Sequence, residues 1–154
     1  MTASNGSDQA IEEAHNLPEQ EDDAVDVLLI EDDPAVVEMY QLKLSLDGYR
    51  VSVATDGESG VERALELRPD IIFLDIRLPK KDGFAVLQEL REHDETREVP
   101  VIILSNYGER DLVERGLKLG ALEYVIKADT TPSSLSGGIG RWVEQQQSEM
   151  PTAG

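Results

Sequence analysis

At 154 residues and 40% hydrophobic content, the chain has apolar material for one core and a length typical of one domain. It has no cysteine, which excludes a disulfide framework and thiolate metal sites, and no apolar stretch approaches the ~20 residues that span a bilayer. A formal charge of −18 repels nucleic acid phosphates and anionic lipid alike, so basic protein surfaces are the partners it favours.

Residues 1–25 hold seven acids (Asp8, Glu12, Glu13, Glu19, Glu21, Asp22, Asp23) and no Lys or Arg, leaving 25 acids against 14 bases, or −11, for the rest. One-signed charge with few apolar residues predicts a disordered acidic tail. Met1 to Ala10 lack a basic start and an apolar segment, so no secretory signal is read and a cytoplasmic location is expected.

From Asp26 onward short apolar runs alternate with amphipathic stretches, the pattern of successive βα units on a parallel sheet. Strands are expected near 26–31, 50–54, 70–75, 99–105 and 122–127, and helices near 34–47, 57–67, 83–93, 108–119 and 132–147. One domain over 26–147 and a flexible tail over 148–154 follow. Pro34 suits a first helical turn, Asp47-Gly48 a helix stop, and Asp56-Gly57 and Arg68-Pro69-Asp70 mark turns.

In the first helix Val36, Tyr40 and Leu44 recur at i, i+4, i+8 with Val37 and Met39 beside them, which predicts the sheet-facing stripe. Leu42 and Leu46 point nearly the opposite way, as surface or as a docking patch. After the third strand, Leu78-Pro79-Lys80-Lys81-Asp82-Gly83 reads as a loop above Asp75, with Gly83 available for an unusual φ. In the last helix Leu135, Ile139, Trp142 and Val143 make one core stripe, although Gly137, Gly138 and Gly140 each weaken a helix by ~1 kcal/mol relative to Ala. His15 and His93 have no metal-ligand spacing and read as surface residues.

The chemistry lies where the apolar runs end. Val27-Leu28-Leu29-Ile30 ends in Glu31-Asp32-Asp33, Ile71-Ile72-Phe73-Leu74 in Asp75, Val101-Ile102-Ile103-Leu104 in Ser105, and Tyr124-Val125-Ile126 in Lys127. Acids that terminate buried strands cost desolvation energy unless cations or hydrogen bonds compensate them. In an open parallel sheet the ligand site lies beyond the carboxyl ends of the strands, where all four groups fall.

An aspartate can attack phosphorus to form an acyl phosphate, but its charge must first be offset against the phosphoryl oxygens. Glu31, Asp32 and Asp75 are hard oxygen donors of the kind Mg²⁺ accepts. Lys127 would add a fixed positive charge and Ser105 a hydroxyl donor. Each has a plainer reading taken singly: Ser105 as a cap of the next turn, Lys127 as the partner of an acid, the acids as solvated groups. Tyr124 reads either as a half-buried sheet residue or as a ring that rotates into space opened when Ser105 shifts toward a phosphoryl group. Gly108, Gly116 and Gly120 lower the local stability around the fourth helix, which suits a two-state element.

With these motifs in place, residues 26–147 resemble a receiver domain of two-component response regulators. The resemblance implies a CheY-like, flavodoxin-like (βα)5 α/β fold, a doubly wound five-stranded parallel sheet in the order 2-1-3-4-5. It implies Asp75 as phosphoacceptor, Glu31 and Asp32 as the acidic pair for Mg²⁺ with the backbone carbonyl of Arg77 as a further ligand, and Asp33 as a third acid at the same turn. Ser105 and Tyr124 become the switch pair and Lys127 the phosphate contact. Implied partners are a sensor histidine kinase or histidine phosphotransfer protein and a downstream protein target, with no direct nucleic acid and no membrane. A homodimer through the face of the fourth helix, fifth strand and fifth helix is a further implied option.

Three features depart from the family pattern. Ala128 stands where a proline usually follows the lysine, and a cis bond before a non-proline costs ~2.5–4 kcal/mol, so loop 127–131 is expected to be trans or differently shaped. Arg77 and Tyr107 are bulky at positions where family members tune phosphoryl lifetime through water access. No output domain is read, so a stand-alone regulator is expected. It would signal by protein contact, with a phosphorelay intermediate and a phosphorylation-independent interaction module as alternatives. An enzyme is the rival class, but an aspartyl phosphatase would need an acid where Arg77 stands, and the acids after the first strand would repel a flavin phosphate. A non-enzyme whose chemistry is confined to its own aspartate is expected.

Overall fold

Each apolar run becomes one parallel strand, because the amphipathic segment after it carries the chain back across a face of the sheet. The computed structural model describes residues 24–149. In chain order the elements are β1 (Asp26–Ile30), α1 (Pro34–Leu46), β2 (Arg50–Ala54), α2 (Gly57–Leu67), β3 (Ile71–Leu74), α3 (Gly83–Glu92), β4 (Val101–Ser105), α4 (Arg110–Lys118), β5 (Glu123–Ile126), a 3₁₀ turn (Lys127–Asp129) and α5 (Pro132–Glu149). The sheet order is β2-β1-β3-β4-β5, all parallel, as expected.

Alternation along the strands divides the core between the two faces. Val27, Leu29, Ile71, Phe73, Ile102 and Leu104 pack against Tyr40 and Leu44 of α1 and Leu135, Ile139 and Trp142 of α5. Leu28, Ile30, Ile72, Leu74 and Ile103 pack against Val61 and Ala64 of α2 and Phe84, Val86, Leu87 and Leu90 of α3. Both faces are covered, which is why the central strands read as unbroken apolar runs.

The second strand has the expected bounds, the other four are shorter than the apolar pattern suggested, and the difference places the chemistry. Glu31, Asp75 and Lys127 are the first residues beyond β1, β3 and β5; the Glu31 and Asp75 N–H groups still donate to the Ala54 and Ile30 carbonyls of neighbouring strands, while all three side chains line one cleft. Val36, Val37, Tyr40 and Leu44 of α1 pack on the sheet as expected, whereas Met39, expected beside that stripe, is 47% exposed. Leu42 and Leu46 are exposed, as expected. The last helix runs through its three glycines to Glu149, two residues into the segment read as tail. The remainder of that segment and the acidic tail up to residue 23 lie outside the described residues. No described helix is long and apolar enough to cross a membrane.

Candidate functional site

Register brings the strand-end groups together. Ile30 pairs with Leu74, so Glu31 and Asp75 leave the sheet side by side. Ser105 pairs with Ile126, so Lys127 emerges one step beyond the hydroxyl. The Asp75 N–H donates to the Ile30 carbonyl at 3.0 Å, which fixes the turn out of β3 against β1.

Gly83 holds Asp75 from the other side. Its φ is ordinary, so the unusual dihedral allowed for in the sequence is not used. What the position requires is space: a Cβ there would lie 2.2 Å from the Asp75 carbonyl oxygen. The Gly83 N–H also donates to the Ile76 carbonyl at 2.7 Å, so α3 begins in direct contact with the acceptor backbone.

Asp75 and Glu31 are 7% and 1% exposed, and Lys127 lies between them. Lys127 Nζ is 2.6 Å from Glu31 Oε1 and 3.3 Å from Asp75 Oδ2. The Ile76 N–H donates to Asp75 Oδ1 at 2.8 Å, and the Asp33 N–H to Glu31 Oε2 at 3.1 Å. Burial pushes the Glu31 carboxyl above its ordinary pKa; the Lys127 ammonium and the Asp33 N–H oppose that rise, and the Asp75 charge adds to it. Burial alone would lower the Lys127 pKa, but the Glu31 and Asp75 carboxylates outweigh it and hold the ammonium above its ordinary value. Lys127 is therefore a fixed cation at neutral pH.

One carboxylate oxygen each of Glu31, Asp32 and Asp75 lies within 4.8 Å of the others, a candidate cation cluster among the described residues. Glu31 Oε1 is buried and has the Lys127 ion pair but no well-angled hydrogen bond, which leaves it able to face a second cation. An all-oxygen set with one exposed member fits a hard divalent ion that keeps waters. Asp33 shares the cleft, but its Oδ1 accepts the Ala35 N–H at 3.0 Å and caps α1. Its carboxylate thus has a structural task that its place beside Asp32 did not reveal.

Ser105 is fully buried, and its Oγ accepts the Tyr107 N–H at 3.0 Å. The turn-capping role and a role toward the cleft are compatible, because the hydroxyl keeps a proton to donate. Tyr124 is half-buried, its ring lies against Gly116, and its hydroxyl donates to the Tyr107 carbonyl. Burial raises the Tyr124 pKa, with a contact to Ser105 opposing the rise. Arg77 stacks on Tyr107, the guanidinium carbon 4.4 Å from the ring centroid. The described residues contain no cis peptide, and Lys127–Asp129 form a 3₁₀ turn, so the departure at Ala128 is met by a trans bond.

Asn106 also lines the cleft beside Lys127 and Asp75 and was not singled out in the sequence. The signal available was its place directly after the strand-ending Ser105, where a polar side chain leaves the sheet toward the shared edge.

Comparison with known proteins agrees with this geometry. The family model described as the response regulator receiver domain matches residues 27–135. The chain is 41% identical over 101 residues to RpaA, a DNA-binding dual master transcriptional regulator of Synechocystis, covering 66% of this chain and 42% of that protein. It spans about two fifths of the length of the curated relatives it matches in this way. The crystal structure of the receiver domain of a Pseudomonas aeruginosa sensor histidine kinase is 31% identical, with a TM-score of 0.72 over 79% of this chain and 98% of that one; it has a magnesium ion coordinated in its active site cleft. The BeF3-activated DrrB receiver domain is 25% identical, with a TM-score of 0.70 over 79% of this chain and 98% of that one.

Proposed function

This chain belongs to the response regulator receiver family, and we propose that it accepts a phosphoryl group on Asp75 from a histidine kinase or histidine phosphotransfer protein and signals by changing its surface. The observation that carries this reading is the convergence of Asp75, Glu31, Asp32 and Lys127 at one end of the sheet, with Lys127 held between two carboxylates. A carboxylate oxygen of Asp75 forms a bond to phosphorus as the bond from phosphorus to the donor imidazole nitrogen breaks, and that bond's electron pair stays on the imidazole. Glu31, Asp32, Asp75 and the Arg77 backbone carbonyl would hold a magnesium ion. Bound there, it offsets the negative charge that builds as carboxylate and phosphoryl oxygens approach. Lys127, already charged and 3.3 Å from Asp75, turns to a phosphoryl oxygen without a proton transfer. Ser105 donates its hydroxyl proton to another.

The response is a population shift: the phosphoryl group stabilises one arrangement of Ser105, Tyr124 and the α4–β5–α5 face. We read the receiver as a cytoplasmic regulator that acts on a downstream protein and turns over no separate substrate. A charge of −18 supports a protein partner over nucleic acid or membrane, and the same face is available for a homodimer. Intact mass after incubation with acetyl phosphate and Mg²⁺ tests the core of this reading. Wild type is expected to gain one phosphoryl group and Asp75→Asn none. No adduct, even with a histidine kinase supplied, would leave a phosphorylation-independent interaction module.

A second reading, a phosphorelay intermediate, is favoured by α1. Met39, Leu42 and Leu46 are exposed, and Leu42 lines a groove that reaches Asp32 at the rim of the cleft. An apolar face beside the acceptor suits a helix that carries a histidine. Return of the group from phosphorylated protein to a histidine phosphotransfer protein, with loss of that step in Leu42→Asp, is the expected result for a relay.

A further inference from the structure

Tyr107 is joined to three functional elements at once. Its ring lies under the Arg77 guanidinium at 4.4 Å, which bridges the loop after β3 to the loop after β4 at the rim of the acceptor cleft. Its N–H donates to Ser105 Oγ at 3.0 Å. Its carbonyl accepts the Tyr124 hydroxyl. A displacement of this one residue therefore moves the rim, the hydroxyl and the aromatic ring together.

The direction of that displacement follows from where the partners sit. Ser105 can keep the Tyr107 N–H as acceptor while it donates its own proton toward a phosphoryl oxygen, so a shift of Ser105 toward Asp75 draws the Tyr107 peptide with it. Arg77 stands two residues after Asp75, and its hold on the Tyr107 ring pulls the same loop toward β3. The two pulls agree. The Tyr107 carbonyl, carried along, keeps the Tyr124 hydroxyl against the loop.

We propose that Arg77 and Tyr107 form a strut that holds the Ser105–Tyr107–Tyr124 chain in the arrangement the phosphorylated protein uses, so that Arg77 positions the switch and does more than shield the acyl phosphate. The proposal rests on the receiver reading of the site. Linkage gives it a strict consequence. Whatever factor the strut contributes to the population of that arrangement, it contributes up to the same factor to the affinity for a phosphoryl mimic that selects it. A guanidinium over an aromatic ring at a partly exposed site corresponds to about a two- to fivefold factor.

The test uses the full chain carrying 3-fluorotyrosine, with the Tyr124 resonance assigned from Tyr124→Phe. The resonance is followed without ligand and during titration with beryllofluoride and Mg²⁺. Arg77→Ala and Tyr107→Ala are each expected to move the unliganded Tyr124 resonance away from its beryllofluoride-saturated position and to weaken beryllofluoride binding about two- to fivefold. The double variant is expected to lose no more than either single one. Tyr107→Phe, which keeps the ring and both backbone bonds, is expected to restore both readouts. An unmoved Tyr124 resonance in folded Arg77→Ala and Tyr107→Ala overturns the strut, even if their acyl phosphate hydrolyses faster, because shielding alone would do that. The unliganded spectra judge the strut by themselves. A wild type that takes up neither beryllofluoride nor a phosphoryl group would overturn the receiver reading instead.

Discussion

Helices α3 and α4 leave neighbouring strands of the same sheet, yet one is embedded and the other rests on the surface. Of α3, Gly83, Phe84, Val86, Leu87 and Leu90 are buried; of α4, Gly116 alone. Asp82 caps α3 through the Ala85 N–H at 2.9 Å, whereas Glu109 at the start of α4 makes no side-chain cap. The loop before α3 is pinned as well. A Cβ on Gly57 would lie 1.9 Å from the Lys81 carbonyl, Lys81 pairs with Glu89, and Lys80 reaches Asp56 at 3.8 Å. The loop before α4 hangs chiefly on Tyr107.

The difference separates two tasks of one site. The acceptor must sit within a fraction of an ångström of its working position, and misplacement by ~1 Å costs about a hundredfold in rate, so Asp75 leaves the sheet into the rigid side. A responding surface must come from the low end of the stability range, and α4 has few buried contacts to lose. Its far end is still anchored. The Arg91 guanidinium donates to the carbonyls of Thr96, Val99 and Gly120, at 2.8 Å for Gly120, so α4 is free to shift near Tyr107 and held just before β5.

The most severe test of this contrast pairs one substitution in each helix. Phe84→Ala in α3 is expected to cost about 3–5 kcal/mol in chemical denaturation, and Leu117→Ala in α4, where Leu117 is 45% exposed, no more than about 0.5 kcal/mol. Equal losses would erase the distinction. Gly83→Ala comes next, at about 1–3 kcal/mol from overpacking. Because the added carbon meets the Asp75 backbone, the rate of Asp75 phosphorylation by acetyl phosphate should fall with it. A stability loss with an unchanged rate would show that the contact does not position the acceptor.

Glu109→Ser sharpens the contrast from the other side. It supplies the cap that α4 lacks, with an expected gain of about 0.5–1 kcal/mol and slower hydrogen exchange at the α4 amides alone. The smallest effect is in acid. Asp56 caps α2 through the Ser59 N–H at 2.7 Å, and that bond holds its folded pKa below the ordinary carboxylate value. A depressed folded pKa contributes stability that is present above the unfolded value of ~3.9 and lost as pH falls through the folded one. The Tm difference between wild type and Asp56→Ala should therefore narrow as pH is lowered from ~5 to ~3, an outcome not expected if the cap were uncharged in effect.

Much of the fold was legible because its causes are local. The alternation of apolar runs with 3.6-periodic stretches marks βα units, and Pro34 in a first turn, the turn at Asp56-Gly57 and the loop ending at Asp82-Gly83 mark where helices start from neighbouring residues alone. Met39 escaped this reading because a residue beside a helical stripe is turned in or out by the width of the surface it meets, and that width is set by α5 and the sheet. Asn106 escaped because nothing in its neighbourhood distinguishes a cleft-lining amide from a solvated one.

The sequence by itself determined that acids, a hydroxyl and an ammonium end four of the five strands, since strand ends follow from where apolar runs stop and parallel pairing sends those ends the same way. Only the tertiary structure decided how those groups divide their work: Asp33 turned to the α1 cap, Lys127 set between Glu31 and Asp75 across a trans bond to Ala128, Gly83 pressed on the Asp75 backbone, and Tyr107 joined to Arg77, Ser105 and Tyr124. Apart from the cap, each of these is a distance between loops that lie far apart or fold back in the chain. Such distances are fixed by how the helices seat on the two faces of the sheet, which no local pattern encodes.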